Sequence, residues 1–297
     1  RSQDMGAAQP LGPNSSGVIL VESRVGAGQE IFSGIDTTLV GLAEAVPEGS
    51  RSFARGQLED YRASLRRAVD GFGLDPEGIV PDLLEASRHL DAARIAGQAA
   101  DTEFRTVMAA RAELLDRAIL AASGIVFDLR AEDDLLVPGQ TVEVRAQLWN
   151  GGSRRLEDAR VGLEAPDGWT VRTGQGFDGR RGQVVEPGEL RTWTLEVTVP
   201  LEAQRSELYY LLEPRDDAMY RWPDRPDVWG LPRDPSPVRG RTWFTIQDPS
   251  ATVGATDAEP TRSRVEATTA WRFVGVDPAR GEFERPVLVV SAVSDSV

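Results

Sequence analysis

Histidine, cysteine and lysine, the side chains behind much metal and nucleophile chemistry, are almost missing from this sequence. It contains one histidine, His89, no cysteine and no lysine, so all 33 basic residues are arginine. A catalytic zinc ion takes three protein ligands, usually histidines with a carboxylate, and leaves one position open for water. His89 has no partner histidine, and its surroundings (Ser87-Arg88-His89-Leu90-Asp91) are typical of a helix. We therefore predict a surface or boundary histidine and not a metal ligand.

Motifs for covalent catalysis and for phosphate binding are missing or stand in the wrong context. Without lysine or cysteine the sequence offers no Schiff base, no phosphate-loop lysine and no thiolate. No G-x-S-x-G elbow accompanies His89 for Ser-His-Asp chemistry. Residues 174–179 match G-x-G-x-x-G, but nucleotide binding needs this motif between a strand and the start of a helix. Strand-like segments flank it here, so we interpret it as a loop.

Neighbouring carboxylates are plentiful, for example at Asp133-Asp134 and Asp216-Asp217. Glycoside hydrolysis needs two acids about 5–10 Å apart across the sugar, a distance that the sequence does not fix. Carboxylate oxygens also suit calcium, although no twelve-residue calcium loop is present. Solvated turns explain these acids better than either site. The prediction is that these residues supply no catalytic group, no cofactor site and no metal site.

Aromatic residues and arginines concentrate in a proline-rich stretch near residues 209–233. The candidate contact residues are Tyr209, Tyr210, Arg215, Tyr220, Trp222, Trp229 and Arg233. Aromatic rings beside arginine can stack on sugars or anchor a contact between domains. A long Pro/Trp loop can also cover the edge of a sandwich. Packing against a neighbouring domain is the favoured interpretation, with ligand contact and edge cover as alternatives.

The charge of the chain excludes two classes of partner. Its formal net charge is −14, whereas nucleic acids are bound mainly through cationic contacts to phosphate. Anionic membrane surfaces likewise attract basic segments. No apolar run reaches the ~18 residues that suggest a membrane span. We expect neither nucleic acid nor a membrane span.

Three stretches before Gly124 carry apolar residues three or four positions apart, the spacing of one helix face. They are Leu58, Tyr61, Leu65, Val69 and Phe72; then Leu83, Leu84, Leu90 and Ile95; then Phe104, Met108, Ala112, Leu115, Ile119 and Ala122. Burying each large apolar side chain stabilises the fold by ~1.5–3 kcal/mol. A small helical bundle is therefore predicted over residues 49–124.

After Gly124 the apolar pattern changes from helical to alternating, most clearly over residues 141–149. Further strands are predicted at 125–129, 160–163, 169–171, 193–199, 208–212, 242–246, 270–274 and 286–290. Short strands separated by Pro-Gly and Asn-Gly turns favour an antiparallel β-sandwich. The predicted fold class is multidomain α plus β: a small helical bundle, an antiparallel immunoglobulin-like sandwich, and the start of another β domain.

The turn motifs of the sandwich carry a resemblance to a known kind of module. They are Pro138-Gly139-Gln140-Thr141, Asn150-Gly151-Gly152, Pro166-Asp167-Gly168-Trp169, Pro187-Gly188 and Val199-Pro200. With them, residues 125–247 resemble the immunoglobulin-like modules often appended to bacterial glycosidases. The resemblance implies a fold and leaves the ligand open.

A second resemblance lies in residues 1–13, RSQDMGAAQPLGP, and continues at 36–39 and 281–286. These segments resemble large bacterial PIG-L/LmbE-like zinc N-deacetylases, in which the first of them closes the catalytic domain. The resemblance implies a parent enzyme that hydrolyses an N-acetyl group, expected on an amino sugar, with water activated by zinc. It also implies an extracytoplasmic location, periplasmic or secreted. The family's His-Pro-Asp-Asp and His-x-x-His motifs are absent from these residues, so zinc is expected in a catalytic domain outside them.

These observations divide the chain into five predicted parts. They are the tail of a catalytic domain at 1–48, the bundle at 49–124, the sandwich at 125–247, a linker at 248–264, and the start of a further β domain at 265–297. The expected function is a non-catalytic accessory or scaffolding part of the deacetylase, whose partner is the catalytic domain in the same polypeptide. The alternative is a stand-alone module that binds carbohydrate or protein, with a glycan as its ligand.

Overall fold

The computed structural model describes residue 36 and residues 38–174, 182–225, 228–231, 234–246 and 264–290. Several predictions concern residues outside these ranges. They are the catalytic-domain tail up to residue 35, nearly all of the linker at 248–264, most of the G-x-G-x-x-G segment, and Arg233.

The helical part consists of two short 3-10 helices, Leu39–Ala45 and Pro76–Ile79, and three α-helices. The α-helices are α1, Glu48–Gly71; α2, Val80–Ala96; and α3, Thr102–Ala122. Asp101 caps α3, because its carboxylate accepts a hydrogen bond of 2.8 Å from the backbone N–H of Phe104. In the described part of the chain, no helix combines the length and apolarity needed to cross a bilayer.

The helices pack through stripes that differ from the predicted ones at one end of α1. Helices α2 and α3 bury most of their predicted residues, including Leu84, Leu90, Phe104 and Ile119. On α1, burial passes from Leu58 and Tyr61 to Ser64 and Ala68, while Val69 and Phe72 are exposed. The face of α1 that meets α2 is thus rotated toward small residues, which let the two helices approach closely.

The remaining described residues form twelve strands in three sheets. The strands are β1, Ile125–Ala131; β2, Leu135–Leu136; β3, Thr141–Asn150; β4, Leu156–Glu164; β5, Thr170–Thr173; β6, Gln183–Val185; β7, Leu190–Thr198; β8, Arg239–Ile246; β9, Arg264–Ala270; β10, Arg272–Asp277; β11, Gly281–Pro286; and β12, Leu288–Val289. The sheet orders are β11-β10-β1-β3-β7-β5, β6-β4-β8-β9 and β12-β2. Only β1–β10 and β12–β2 pair in parallel among the described strands. The predicted order of a helical bundle followed by an antiparallel β-sandwich is confirmed.

The sandwich core is built from the alternating inward residues of the two larger sheets. In β3 every second residue is buried, from Val142 to Leu148, and the outward residues between them are polar up to Trp149. Across the core, Gly240 of β8 approaches so closely that a Cβ there would lie 3.1 Å from the Leu129 side chain. The alternation of buried and outward residues in β3 is the sequence signal that predicted this strand.

The segment after residue 263 joins the sandwich, which differs from its expected role as the start of a further β domain. Strand β9 pairs with β8 over seven positions, from Arg239↔Ala270 to Thr245↔Arg264. Strand β10 then crosses to the other sheet and lies parallel to β1. The strands that pair with β9 and β10 are β8 and β1, which lie far from them in the sequence. The alternation of apolar residues within a strand does not indicate which strand it pairs with.

The helical bundle and the sandwich contact each other through backbone atoms at Gly124 and Gly151. Gly124, two residues after the end of α3, adopts a positive φ of 63°. The Gly124 carbonyl accepts a hydrogen bond of 3.0 Å from the N–H of Gly151. A Cβ at Gly151 would lie 2.8 Å from that same oxygen. The Glu77 carboxylate also accepts hydrogen bonds from the backbone and hydroxyl of Ser153. Hydrogen bonds therefore connect the helical bundle directly to the sandwich.

Candidate functional site

The aromatic stretch lies on the long connection between β7 and β8, residues 199–238. This connection contains seven prolines, which fix φ and donate no backbone hydrogen bond, and its described residues form no α-helix and no strand. Residues 208–212, predicted as a strand, contain instead a single 3-10 turn, Tyr209–Leu211. The connection is fastened to the sandwich at Ser206, whose N–H donates to the Val289 carbonyl at 2.9 Å and whose hydroxyl accepts from the Val289 N–H at 3.0 Å.

Five rings on this connection contact one another in series, and we call them the aromatic ridge: Tyr209, Tyr210, Tyr220, Trp222 and Trp229. Centroid distances are 6.1 Å for Trp229–Trp222 and 5.6 Å for Trp222–Tyr209. The series continues with 5.3 Å for Tyr209–Tyr210 and 5.5 Å for Tyr210–Tyr220. All four pairs are edge-to-face, an arrangement that contributes about 0.5–1.5 kcal/mol per pair beyond area burial. The ridge therefore gives this irregular loop a packed structure.

Tyr209 is the centre of the ridge and its only deeply buried ring among the described residues, at 3% exposure. Its hydroxyl accepts a hydrogen bond of 3.2 Å from the backbone N–H of Gly230, and its own N–H donates to Asp234 Oδ1 at 3.0 Å. Gly230 has a φ of 84°, a conformation that only glycine adopts without strain. These bonds close the loop from residue 209 to residue 234 around one buried ring.

A tight turn presents the far end of the ridge. The backbone groups of Asp216 and Met219 bond to each other at 3.0 and 2.9 Å, and Asp217 between them has a φ of 53°. Beyond the turn, the guanidinium carbon of Arg215 lies 5.8 Å from the Tyr220 ring centroid, within cation–π range. Six of the seven predicted contact residues therefore lie in one continuous series, and Arg233 falls outside the described residues.

The outer rings of the ridge are open to solvent. Exposure is 43% for Tyr220, 50% for Trp222 and 49% for Trp229. The Trp229 indole N–H donates to the Pro223 carbonyl at 2.8 Å, so its orientation is fixed while one side of the ring stays free. Exposed apolar side chains continue the surface: Leu211, Leu212, Met219 and Leu231. Such a surface can pack against the apolar faces of sugar rings or against another protein domain.

The other predicted chemical groups have structural contacts. The Nδ1 atom of His89, the half-buried histidine of α2, lies 3.0 Å from Gln57 Oε1 on α1. Asp134 pairs with Arg285 at 3.0 Å, and Asp133 accepts from the Leu135 N–H at 3.2 Å. Across the described residues, no group of three or more His, Cys, Asp or Glu side chains is arranged to hold a metal ion.

One charged cluster was missed in the sequence because its members come from three separate elements. A cavity of about 230 Å³ lies between α2, α3 and β9, and three carboxylates line it: Asp91, Asp116 and Glu266. Burial raises the pKa of Asp116 to about 7. A hydrogen bond with the Glu266 backbone and the charge of Arg94 lower this pKa, while the Glu266 and Asp91 charges raise it further. This carboxyl group lies where bundle and sandwich meet.

Comparison with solved structures gives only weak likenesses. E. coli alpha-2-macroglobulin is 13% identical over 50% of this chain and 7% of its own, with a TM-score of 0.24. A sporulation control protein from Bacillus subtilis is 13% identical over 50% of this chain and 49% of its own, with a TM-score of 0.21. An uncharacterised Nocardia farcinica protein with an immunoglobulin-like fold is 12% identical over 48% of this chain and 97% of its own, at 0.18. At these scores none of them bears on function.

Comparison of the sequence with protein families is more informative. None of the curated proteins is similar to the chain. Residues 136–213, about a quarter of its length, match the family described as the NPCBM-associated, NEW3 domain of alpha-galactosidase. The match begins at Leu136 in β2 and ends at Glu213, within the connection between β7 and β8. The predicted resemblance to immunoglobulin-like accessory modules of glycosidases is thereby confirmed for this part of the chain.

Proposed function

We propose that this chain is a non-catalytic accessory region of a carbohydrate-processing enzyme, and that its aromatic ridge is the surface that contacts the glycan. The observation that carries the proposal is the series of five rings with three of them exposed. The match of residues 136–213 to a glycosidase-associated module supports a carbohydrate context.

The geometry of the ridge suits a binding surface better than a catalytic one. The rings are fixed by edge-to-face packing and by hydrogen bonds from Gly230 and to Pro223, so little side-chain entropy is lost when a ligand binds. Exposed aromatic rings supply apolar area for the C–H faces of sugars. Nearby charged groups, including Arg215, Asp216 and Arg221, can bond hydroxyls at the rim.

A second candidate function uses the same surface to hold the catalytic domain. It is favoured by Leu211, Leu212, Met219 and Leu231, which extend the exposed apolar area beyond the rings. Sugar stacking has no need of these aliphatic side chains, whereas a domain interface gains from each of them.

The parent enzyme in this proposal is a zinc-dependent N-deacetylase acting on an amino sugar outside the cytoplasm. This part rests on the resemblance of residues 1–13, 36–39 and 281–286 to PIG-L-like enzymes. It makes N-acetylglucosamine oligosaccharides the first ligands to test, and it assigns zinc to the catalytic domain and not to this chain.

The test is a titration of the chain with N-acetylglucosamine oligosaccharides, followed by tryptophan fluorescence and calorimetry. Binding at the ridge is expected to quench Trp222 and Trp229, and Trp222→Ala or Trp229→Ala should weaken it about tenfold or more, since stacking on one ring contributes on the order of 1–3 kcal/mol. The matched control is Phe53→Ala, which removes an exposed aromatic ring from helix α1, away from the ridge.

The outcomes separate the two candidates. Quenching that is lost in the ridge variants and kept in Phe53→Ala supports glycan binding. No heat and no quenching with any neutral oligosaccharide, combined with thermal stabilisation of the chain by the added catalytic domain, would replace it with the domain-contact function.

A further inference from the structure

A second exposed apolar feature lies on the outer face of the six-stranded sheet. Val126, Trp149 and Leu190 are direct cross-strand neighbours on β1, β3 and β7, through the pairs Val126↔Trp149 and Trp149↔Leu190. Their exposures are 56%, 41% and 51%. The three side chains form one row across the sheet, which we call the Trp149 row.

The row is one end of a shallow depression of about 580 Å³ whose other end is polar. Gln147, Asp128, Arg130 and Arg272 line that end. Asp128 orients both arginines, because it accepts 2.6 Å from Arg130 Nε and 2.9 Å from Arg272 Nε. These bonds hold the pKa of Asp128 below its usual value, against the effect of its burial.

Several hydrogen-bond donors in the depression have no partner among the described residues. They are the Gln147 amide, the Trp149 indole N–H and the terminal nitrogens of Arg130, which is bonded through Nε alone. Arg272 also pairs with Glu284 on β11, so the charges of the two arginines are balanced by Asp128 and Glu284. The groups left to bind an anion in the depression are the terminal nitrogens of Arg130, which have no partner among the described residues.

The depression is separate from the aromatic ridge. None of the five rings of the aromatic ridge lines the depression. A ligand in the depression therefore does not have to contact the ridge.

We propose that this depression is a binding site for an acidic saccharide. One sugar ring packs its C–H face on Trp149 between Val126 and Leu190, hydroxyls bond Gln147, and a uronate carboxylate binds the free edge of Arg130. An aliphatic acid would need an enclosed apolar pocket, whereas an open face with one ring and a polar rim fits a sugar. The planar guanidinium matches a carboxylate in a two-bond arrangement.

The experiment is calorimetry of the whole chain at low salt with trigalacturonate, neutral galactotriose, and tricarballylate, an acid without a sugar ring. Trigalacturonate is expected to bind at least tenfold more tightly than either of the others. This comparison requires no variant, so it decides the proposal even where a substitution disturbs folding.

Variants then locate the site. Arg130→Gln should weaken trigalacturonate about tenfold or more, because a charge-assisted bond is lost, and Trp149→Ala should abolish detectable binding. The matched control is Arg145→Gln, which removes an equal charge from the position paired with Arg130 on the neighbouring strand, outside the depression. Trp222→Ala should leave this binding unchanged.

Three results would overturn the proposal: no heat with trigalacturonate at millimolar concentration, equal affinity for galactotriose or tricarballylate, or equal losses in Arg145→Gln and Arg130→Gln. Failure here leaves the aromatic ridge untouched, because that surface is tested with neutral oligosaccharides and different variants.

Discussion

The carboxyl group of Asp116 is expected to destabilise the protein at neutral and alkaline pH, and Asp116→Asn should relieve this. Burial raises its pKa from 3.8 in the unfolded chain to about 7 in the folded one. Between these values the folded state binds a proton that the unfolded state has released. The stability that this proton brings is present below about pH 4 and is lost as the pH rises to about 7.

The magnitude follows from the same two pKa values. The full difference corresponds to about 4 kcal/mol at 1.36 kcal/mol per pH unit. Between pH 5 and pH 8, the free energy of unfolding of the wild type should fall by about 3 kcal/mol relative to Asp116→Asn. At pH 5 about 1.6 kcal/mol of the difference is already present, because the carboxyl group is ionised in the unfolded wild type and protonated in the folded one.

Urea denaturation followed by circular dichroism at pH 5 and pH 8 measures the difference. Glu113→Gln is the control, because it removes a negative charge from an exposed position on the same helix. A gap between wild type and Asp116→Asn that is equal at both pH values would refute the reasoning. If the difference in stability between wild type and Glu113→Gln changes with pH to the same extent, the effect is due to the net charge of the protein and not to the burial of Asp116.

Other substitutions test separate parts of the structure. Gly230→Ala should lower the free energy of unfolding by about 1 kcal/mol or more, because an alanine is forced to a φ of 84°. Near-ultraviolet circular dichroism should show a weaker signal from the aromatic ridge. An unchanged signal would argue against the described turn. Asp128→Asn should lower the free energy of unfolding by about 2 kcal/mol, since two arginines lose a charged acceptor. Urea titration measures this free energy. An unchanged value would mean that solvent replaces these hydrogen bonds. A chain ending at Ile246 lacks β9 to β12 and should unfold without a cooperative transition, whereas a sharp thermal transition would show that the sandwich is complete without them.

The local elements could be predicted from the sequence where a single stripe or alternation decides burial. Helix α3 follows its predicted apolar residues from Phe104 to Ile119, and β3 follows its alternation. The prediction failed at Val69 and Phe72, because the buried face at that end of α1 is the one that carries Ala68. Apolar spacing defines a face but does not say whether anything packs on it.

Of the candidate sites, only those with a distinctive local amino-acid composition could be predicted from the sequence. The ridge residues were found because aromatic side chains are conspicuous in a proline-rich stretch. The Trp149 row depends on the register of three strands, and the Asp116 cluster brings together residues 150 positions apart, Asp116 and Glu266. Neither juxtaposition leaves a pattern in the local sequence.

The pairing of β1 with β10 bears on how the chain folds during synthesis. Its members Asp128 and Arg272 are 144 residues apart, so β1 leaves the ribosome long before its parallel partner exists. At roughly 5–20 residues per second, one edge of β1 stays open for roughly 7 to 30 s. The helical bundle is complete by Ala122 and can fold in that interval, whereas an open strand edge invites pairing with another nascent chain. Asp128 and Arg130, charged and placed on that strand, therefore also discourage aggregation before the last strands arrive.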